Sequence, residues 1–482
     1  MMQLLNYIGG QFLSSHSNKT MYSINPSIGK VHAELPDSDA DDVQYAVEKA
    51  KEAFKKWSQT SHEERFKYLN KIAELIEDRI EELAMAESID NGKPLWLAKK
   101  VDIPRASSNF RFFATAAMQF ASESHEMPNR AINYTLRKPI GIVGCISPWN
   151  LPLYLFTWKI APALATGNVV IAKPSEITPY TAHLLAEICH DAGLPTGVIN
   201  ILHGRGGACG EAIIRHPDIK AISFTGGTHT GARIAGIAGP MFKKMSLELG
   251  GKNPNLIFAD ADMPLALATT VRSSFSNQGQ ICLCGSRILI ESSIYDDFVA
   301  EFIPMVEALK VGDPLDPQTQ IGALVSAEHL AKIDGYVRLA VEEGGSILTG
   351  GQIVSPEGRC AEGYFYTPTV IANLDNHCRV NQEEIFGPVV TLQPFNHEEE
   401  AIALANGTPY GLAATIWTQD LNRAHRLSDQ IEAGIIWVNC WLERDLRTPF
   451  GGVKASGVGR EGGWEAMRFF TEPKNVCIQW NT

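Results

Sequence analysis

Apolar residues recur at helical spacing over 39–57, where Val43, Ala46, Val47, Ala50, Phe54 and Trp57 share one face. The pattern resumes after Ser61, which with Glu64 predicts a reciprocal capping box. Leu69, Ile72, Ala73, Ile76, Ile80 and Leu83 carry a single second helix towards the Asn91-Gly92 and Pro94 stop. A third helix is predicted over 98–120, interrupted near Pro104, with Arg105 and Arg111 on a largely apolar segment. Residues 3–31 read as short strands and turns. Residues 129–139 alternate as a polar hairpin, either a contact arm for another subunit or a surface loop.

From Ile140 the period changes. Short apolar runs at 140–146, 169–172, 198–201 and 219–224 alternate with helical stretches, notably 179–192 and 207–215. Such runs, apolar on both faces, predict a parallel α/β sheet of Rossmann type. A second α/β series is predicted from about 255 to 450, with helices near 295–309 and 327–343. The tail at 476–480 is β-prone, and an unpaired terminal strand of this kind adds readily to a partner's sheet.

Length and composition narrow the class. A chain of 482 residues is too long for one ordinary core. Hydrophobic and charged fractions of 45% and 20% are those of a globular protein, and no apolar run reaches the roughly 18 residues of a membrane span. No basic leader followed by an apolar stretch opens the chain, so a cytoplasmic product is expected. Nine thinly spread cysteines suit a reducing compartment rather than a disulfide framework, and no pairing of Cys-x-x-Cys or His motifs suggests a metal site. A net charge of −12 argues against a nucleic-acid surface. It also makes any arginine cluster near a pocket more informative.

Five stretches carry candidate chemistry. Cys282, in Phe275-Ser276-Asn277-Gln278-Gly279-Gln280-Ile281-Cys282-Leu283-Cys284, follows a helix and precedes a strand; it reads either as an accessible nucleophile or as a buried turn cysteine. Asn150, between Pro148-Trp149 and Leu151-Pro152, is an amide pinned after a strand, suited to hold an oxyanion. Glu248, in an apolar strand before Gly250-Gly251-Lys252, has the environment of a general base, with Lys252 as a candidate counter-ion. Lys173-Pro174-Ser175-Glu176 ends a strand where open sheets bind ligands; both side chains can hold ribose hydroxyls, and the carboxylate would repel a 2′-phosphate. A surface ion pair is the alternative. The glycines of Phe224-Thr225-Gly226-Gly227-Thr228-His229-Thr230-Gly231 follow a strand and open a helix, as a pyrophosphate site requires. Gly204-Arg205-Gly206-Gly207-Ala208-Cys209-Gly210 imitates a dinucleotide fingerprint but has Cys209 at the third glycine.

Taken together, these motifs, with Glu383-Glu384-Ile385-Phe386-Gly387-Pro388 and Pro449-Phe450-Gly451-Gly452, resemble the aldehyde dehydrogenase superfamily over nearly the whole length. The resemblance implies that fold: a Rossmann-type cofactor domain at 1–118 and 139–250, an α/β catalytic domain at 251–452, and a small β oligomerisation arm at 119–138 and 465–482. It implies Cys282 as nucleophile, Asn150 as oxyanion donor and Glu248 as base. For NAD it implies Ile146, Trp149, Lys173, Glu176, Gly226, Gly227, Gly231, Leu249, Glu384 and Phe386. Relatives commonly carry serine where this chain has Gly227, so one phosphate hydrogen bond is expected to be missing.

The segments 102–105, 109–113, 147–154, 281–284 and 439–447 narrow the resemblance to the subgroup that oxidises 2-aminomuconate or 2-hydroxymuconate semialdehyde, in tryptophan or catechol breakdown. Arg105, Arg444 and Arg447 are the expected carboxylate anchors, with Trp158 and Phe450 as aromatic tunnel walls. Alternatively, Arg444 pairs with Asp445 or Glu443 at the surface. A broad-specificity, retinal or betaine aldehyde enzyme, a CoA-acylating relative and a non-redox cysteine hydrolase are the competing functions; Glu248 argues for water as the acceptor. A homo-oligomer, dimer or tetramer, is expected, with no nucleic-acid or membrane partner.

Overall fold

The computed structural model describes residues 1–480, and its framework is two large, mostly parallel sheets. The first has eight strands. Its five central ones lie in the order Lys244–Glu248, Ile219–Thr225, Ile142–Ile146, Val169–Lys173, Ile199–Ile201, all parallel. These are the apolar runs of the sequence. They are buried almost throughout, which is why they show no polar alternation.

From Ile142–Ile146 the chain works outward through the next two strands, then crosses back to lay Ile219–Thr225 on the other side of Ile142–Ile146. Strand order therefore reverses between Ile146 and Thr225, and a crevice opens beyond their carboxyl ends. Asn150, Gly226 and Gly227 leave the sheet there. Asn6–Ile8 pairs antiparallel with Ile199–Ile201, and Gly457–Val458 pairs antiparallel with Lys244–Glu248, tying a late segment to the first sheet.

The second sheet has seven strands, in the order Ser346–Thr349, Thr369–Ala372, Val389–Phe395, Arg287–Glu291, Pro254–Ile257, Ala413–Trp417, Ile435–Val438. All neighbours are parallel except the first pair. The crossover between Pro254–Ile257 and Arg287–Glu291 contains the Met263–Phe275 helix and then the loop with Cys282.

Three local expectations change. The expected single helix after Ser61 divides into His62–Asp78 and Ile80–Asn91, because Arg79 leaves helical geometry and its guanidinium bonds Glu82 and Glu187. The reciprocal capping box forms at Asp39 with Asp42, whereas Ser61 only accepts from the Glu64 N–H. Pro104 does not interrupt its helix: it occupies the first turn of Ile103–Gln119, after a wide π turn at Ala98–Asp102. The tail strand, Thr471–Gln479, pairs with Ala131–Pro139 of its own chain, and Ser124–Met127 covers the other side of that strand. Among the described residues, nothing pairs with the outer edge of Thr471–Gln479. Of the expected 465–482 arm segment, residues 481–482 lie outside the described residues. Among the described residues no helix is long and apolar enough to cross a membrane.

Candidate active site

A tight turn presents Cys282. After the Met263–Phe275 helix, Asn277, Gln278 and Gly279 all take left-handed conformations, with φ of 52°, 58° and 69°. Gln278 donates to the Ala323 carbonyl at 2.8 Å, Gln280 accepts from the Val325 N–H at 3.1 Å, and Asn253 donates to the Cys282 carbonyl at 2.7 Å. These bonds offset the local strain. A methyl group on Gly279 would run into the Gly387 carbonyl. Gly279→Ala is therefore expected to cost more than about 1 kcal/mol of stability, read as a lower midpoint in urea unfolding. Cys282 is half-buried, while Cys284 lies buried beneath it.

Asn150 faces this turn. Its side-chain amide donates to the Gln280 carbonyl at 3.0 Å and lines the same cleft as Cys282. An amide carries two N–H groups, so one remains to point at a substrate oxygen. Among the described residues nothing accepts the Cys282 N–H in a backbone hydrogen bond. Asn150 and Cys282 thus line the same cleft, each with an N–H that makes no other hydrogen bond among the described residues.

Glu248 ends its strand 3% exposed, with neither carboxylate oxygen hydrogen-bonded. Burial, then the nearby Glu461 charge, holds its carboxyl well above the usual carboxylate range against the pull of Lys159, Arg444 and Arg460. Gly451 lets it approach: a Cβ there would lie 2.6 Å from a Glu248 oxygen. The expected Lys252 counter-ion is not its partner. Lys252 feels Glu384 instead, and burial takes it down to about 7. Glu461 receives Lys159 at 2.8 Å and Ser223 at 3.1 Å. Burial first, then the charges of Glu384 and Glu248, drive the Cys282 thiol upward, while Arg444 draws it down.

The remaining walls suit a nicotinamide dinucleotide. Gly227 caps the Thr228–Ala238 helix without a side-chain acceptor, and a Cβ on it would meet nothing within 4 Å, so backbone N–H groups face open space. The Thr225 hydroxyl, buried on that wall, has no partner. Trp149, Gly226, Leu249, Glu384 and Phe386 line the cleft, and Leu249 packs where a larger residue at 231 would clash. Ile146 is buried at the strand end behind it. Lys173 donates to Glu176 at 3.0 Å, and the other Glu176 oxygen accepts the Gly206 N–H at 3.1 Å. The 204–210 loop, unconvincing as a fingerprint, is thus folded against this pair.

Sequence reasoning missed His329 and Lys332, which also line the cleft from the Ala327–Glu342 helix. His329 shares a 2.7 Å hydrogen bond with the Phe386 carbonyl and sits edge-on to Trp149, and Lys332 donates to the Glu384 carbonyl at 3.1 Å. Their spacing of three residues on a polar helix was an insufficient signal. Among the described residues no cluster of His, Cys, Asp and Glu could hold a metal ion.

The arginines separate. Arg444 lies between Trp158 and Phe450, 4.4 Å and 3.9 Å from their ring centres, and donates to the Tyr154 hydroxyl at 2.8 Å. Its Nε and second Nη are buried without partners. The two aromatic residues therefore clamp Arg444, rather than standing as free tunnel walls. Arg105 lies over the other side of this group, 5.7 Å from the Tyr154 ring centre. Arg447 does not join them: it is exposed and clasps Asp445 in a bidentate pair. The pairing considered for Arg444 is thus made by Arg447, and Tyr154 is the residue that the sequence reading left without a role.

The model of the aldehyde dehydrogenase family matches residues 12–476. The chain is a member of the aldehyde dehydrogenase family. The chain is 50% identical to the 2-aminomuconic semialdehyde dehydrogenase of Danio rerio, covering 99% of this chain and 98% of that one. It is 45% identical to the 2-hydroxymuconic semialdehyde dehydrogenase of Pseudomonas sp. strain CF600, covering 99% and 100%. The NAD⁺ complex of an aldehyde dehydrogenase from Bacillus cereus superposes with a TM-score of 0.97 at 36% identity, covering 99% and 97%. Family membership makes this chain an oxidoreductase acting on an aldehyde, with the aldehyde dehydrogenase fold.

Proposed function

We propose that the chain oxidises an anionic, unsaturated semialdehyde, 2-aminomuconate 6-semialdehyde or 2-hydroxymuconate semialdehyde, to the carboxylate, with NAD. The observation that carries this reading is Arg444, whose charge acts on Cys282 and Glu248 and which has two buried, unpartnered nitrogens. Arg444 is half-buried as a residue, but guanidinium nitrogens shut off from water with idle donors are costly unless an anion meets them. The relatives named for muconic semialdehydes support the same substrate class.

In this reading Cys282 attacks the aldehyde carbon, forming a carbon–sulfur bond and an alkoxide. The Asn150 amide and the Cys282 N–H hold that oxygen, and Arg444 favours the attacking thiolate. A bound nicotinamide would supply the hydride acceptor. With the hydride gone, Cys282 carries a thioester. Glu248 takes a proton from water, whose oxygen attacks the acyl carbon, and the carboxylate leaves as the thiolate is restored. Water rather than CoA is the acceptor because Glu248 is poised as a base. In this reading Glu176, held by Lys173, would take the ribose hydroxyls and repel a 2′-phosphate, which favours NAD over NADP. Ile146, Trp149, Gly226, Gly227, Gly231, Leu249, Glu384 and Phe386 complete the cofactor wall.

Residues 1–118 and 139–250 form the cofactor domain in this reading, and 251–452 the catalytic domain. The arm, 119–138 and 465–482, joins subunits through the free edge of Thr471–Gln479, beside the exposed Ile478 and Trp480. Cytoplasmic action fits nine cysteines that are all free.

Arg444→Ala tests the substrate class. It is expected to raise KM for the muconate semialdehyde about 10- to 100-fold, the loss of a charge-assisted pair, with far less change for a neutral aldehyde such as propanal. Equal effects on both would sink the anchor, and an unchanged preference for a neutral aldehyde in the native enzyme would sink the substrate class.

A further inference from the structure

One turn outside the cleft grips both sides of the oxyanion site. Asn91 ends the Ile80–Asn91 helix, Gly92 and Lys93 follow it, and Gly92 turns the chain with φ of 83°. The Lys93 ammonium is fully buried. It donates to Asp102 at 2.7 Å and to the Asn150 backbone carbonyl at 3.2 Å, and lies 3.5 Å from Glu87. Glu87, equally buried, accepts the Leu153 N–H at 3.3 Å, on the far side of Asn150. Asn91 donates to the Trp149 carbonyl at 3.0 Å and to the Asn150 carbonyl at 3.3 Å. Asn277, from the cysteine turn, gives that carbonyl a third donor at 3.1 Å.

The same turn also reaches the cysteine side. The Gly92 carbonyl accepts the Ala323 N–H at 2.9 Å, and the Ala323 carbonyl accepts Gln278, in the turn before Cys282. A side chain on Gly92 would press on Ala323, at 2.8 Å from its carbonyl oxygen. Two carboxylates and an ammonium buried together are expensive to desolvate, and a hydrophobic group would pack this space at less cost. What the charges add is direction. An ammonium held by Asp102 and Glu87 has one remaining N–H direction, and that goes to Asn150.

We propose that Lys93, oriented by Glu87 and Asp102, is a positioning residue that sets the Asn150 amide against the Cys282 loop. The proposal rests on the reading of Asn150 as the oxyanion donor. Lys93 touches neither substrate nor cofactor; it acts through the Asn150 backbone. Asp102 also stands three residues before Arg105, so the same ammonium fixes the start of the helix that bears that arginine.

The test is a double-mutant cycle on the full-length enzyme, read as kcat and KM for aldehyde oxidation. Lys93→Met is expected to lower kcat roughly 10- to 100-fold, as a misplacement of about 1 Å does, with KM for NAD within twofold. In an Asn150→Ala background the same substitution is expected to change kcat less than threefold, because nothing remains to position. A Lys93→Met loss equally large in both backgrounds, or an unchanged kcat in the single variant, would overturn the proposal. If Lys93→Met does not fold, the cycle is run with Asp102→Asn, which keeps the volume and removes the charge that orients Lys93; a several-fold loss confined to the native Asn150 background supports the proposal, and an equal loss in both overturns it. An Asn150→Ala enzyme of native kcat would overturn the oxyanion reading itself, and this one with it.

Discussion

Cys282→Ala is expected to remove aldehyde-dependent NADH formation by roughly 10⁴-fold or more, because no other group in the cleft can form the covalent intermediate. Cys284 is no substitute. It lies buried, and its N–H is tied to the Ile281 carbonyl at 3.1 Å. Cofactor affinity is expected to stay within a few-fold, because in the proposed reading the cofactor is held by Trp149, Gly226, Leu249, Glu384 and Phe386, which line the cleft with Cys282. Stopped-flow absorbance of NADH and fluorescence titration with NAD separate the two. Residual turnover within tenfold of native would rule out Cys282 as the nucleophile. The same experiment disposes of a non-redox cysteine hydrolase, which would form no NADH in the native enzyme.

With Glu248→Gln, the first turnover is expected to survive and the second to stall. Formation of the thioester requires the thiolate and a hydride acceptor, whereas its hydrolysis requires a base for water. A burst of about one NADH per site should therefore precede a steady state slowed roughly 10²- to 10⁴-fold, the usual worth of a general base. The native enzyme carries a matching pH signature. Burial and Glu461 raise the Glu248 pKa, and the working form is the carboxylate. Hydrolysis should accordingly fall as pH falls through that raised value, well above the range of an exposed glutamate. In the glutamine variant that limb should vanish. A native hydrolysis rate indifferent to pH between 5 and 8, or a variant without a burst, would remove Glu248 from this role.

The tertiary structure also explains why the arginines were hard to rank from the chain. Arg444 and Arg447 stand three residues apart in one loop with Asp445 between them, and both are expected as anchors, with a surface pairing as the alternative for Arg444. Only packing separates them. Trp158, from a helix nearly 300 residues away, and Phe450 sandwich Arg444, while Arg447 is left outside with Asp445. Tyr154 was equally silent, since a tyrosine on an apolar helix has no pattern that announces two arginines around it. His329 and Lys332 follow the same rule: they matter because their helix lies across the cleft from Trp149 and Glu384.

Lys252 shows the opposite error. Adjacent in sequence to Glu248, it was the obvious counter-ion. The strand ends at Glu248, however, and the two glycines that follow turn Lys252 towards Glu384. Sequence neighbours share a site only when the backbone between them permits it.

By itself the sequence determined the alternation of buried strands and helices in the first sheet, the existence of a second α/β series, and the motifs around Asn150, Glu248 and Cys282. These are local: strand burial appears as unbroken apolar runs, and a turn through Asn277, Gln278 and Gly279 needs particular residues at particular places. The tertiary structure decided which charges meet. It set Glu248 near Glu461 and away from Lys252, placed Arg444 and not Arg447 against Trp158 and Phe450, and brought the Asn91–Lys93 turn against Asn150. The physical reason is that charge pairing acts across space, between segments that the sheets bring together from distant parts of the chain. No local pattern records those distances.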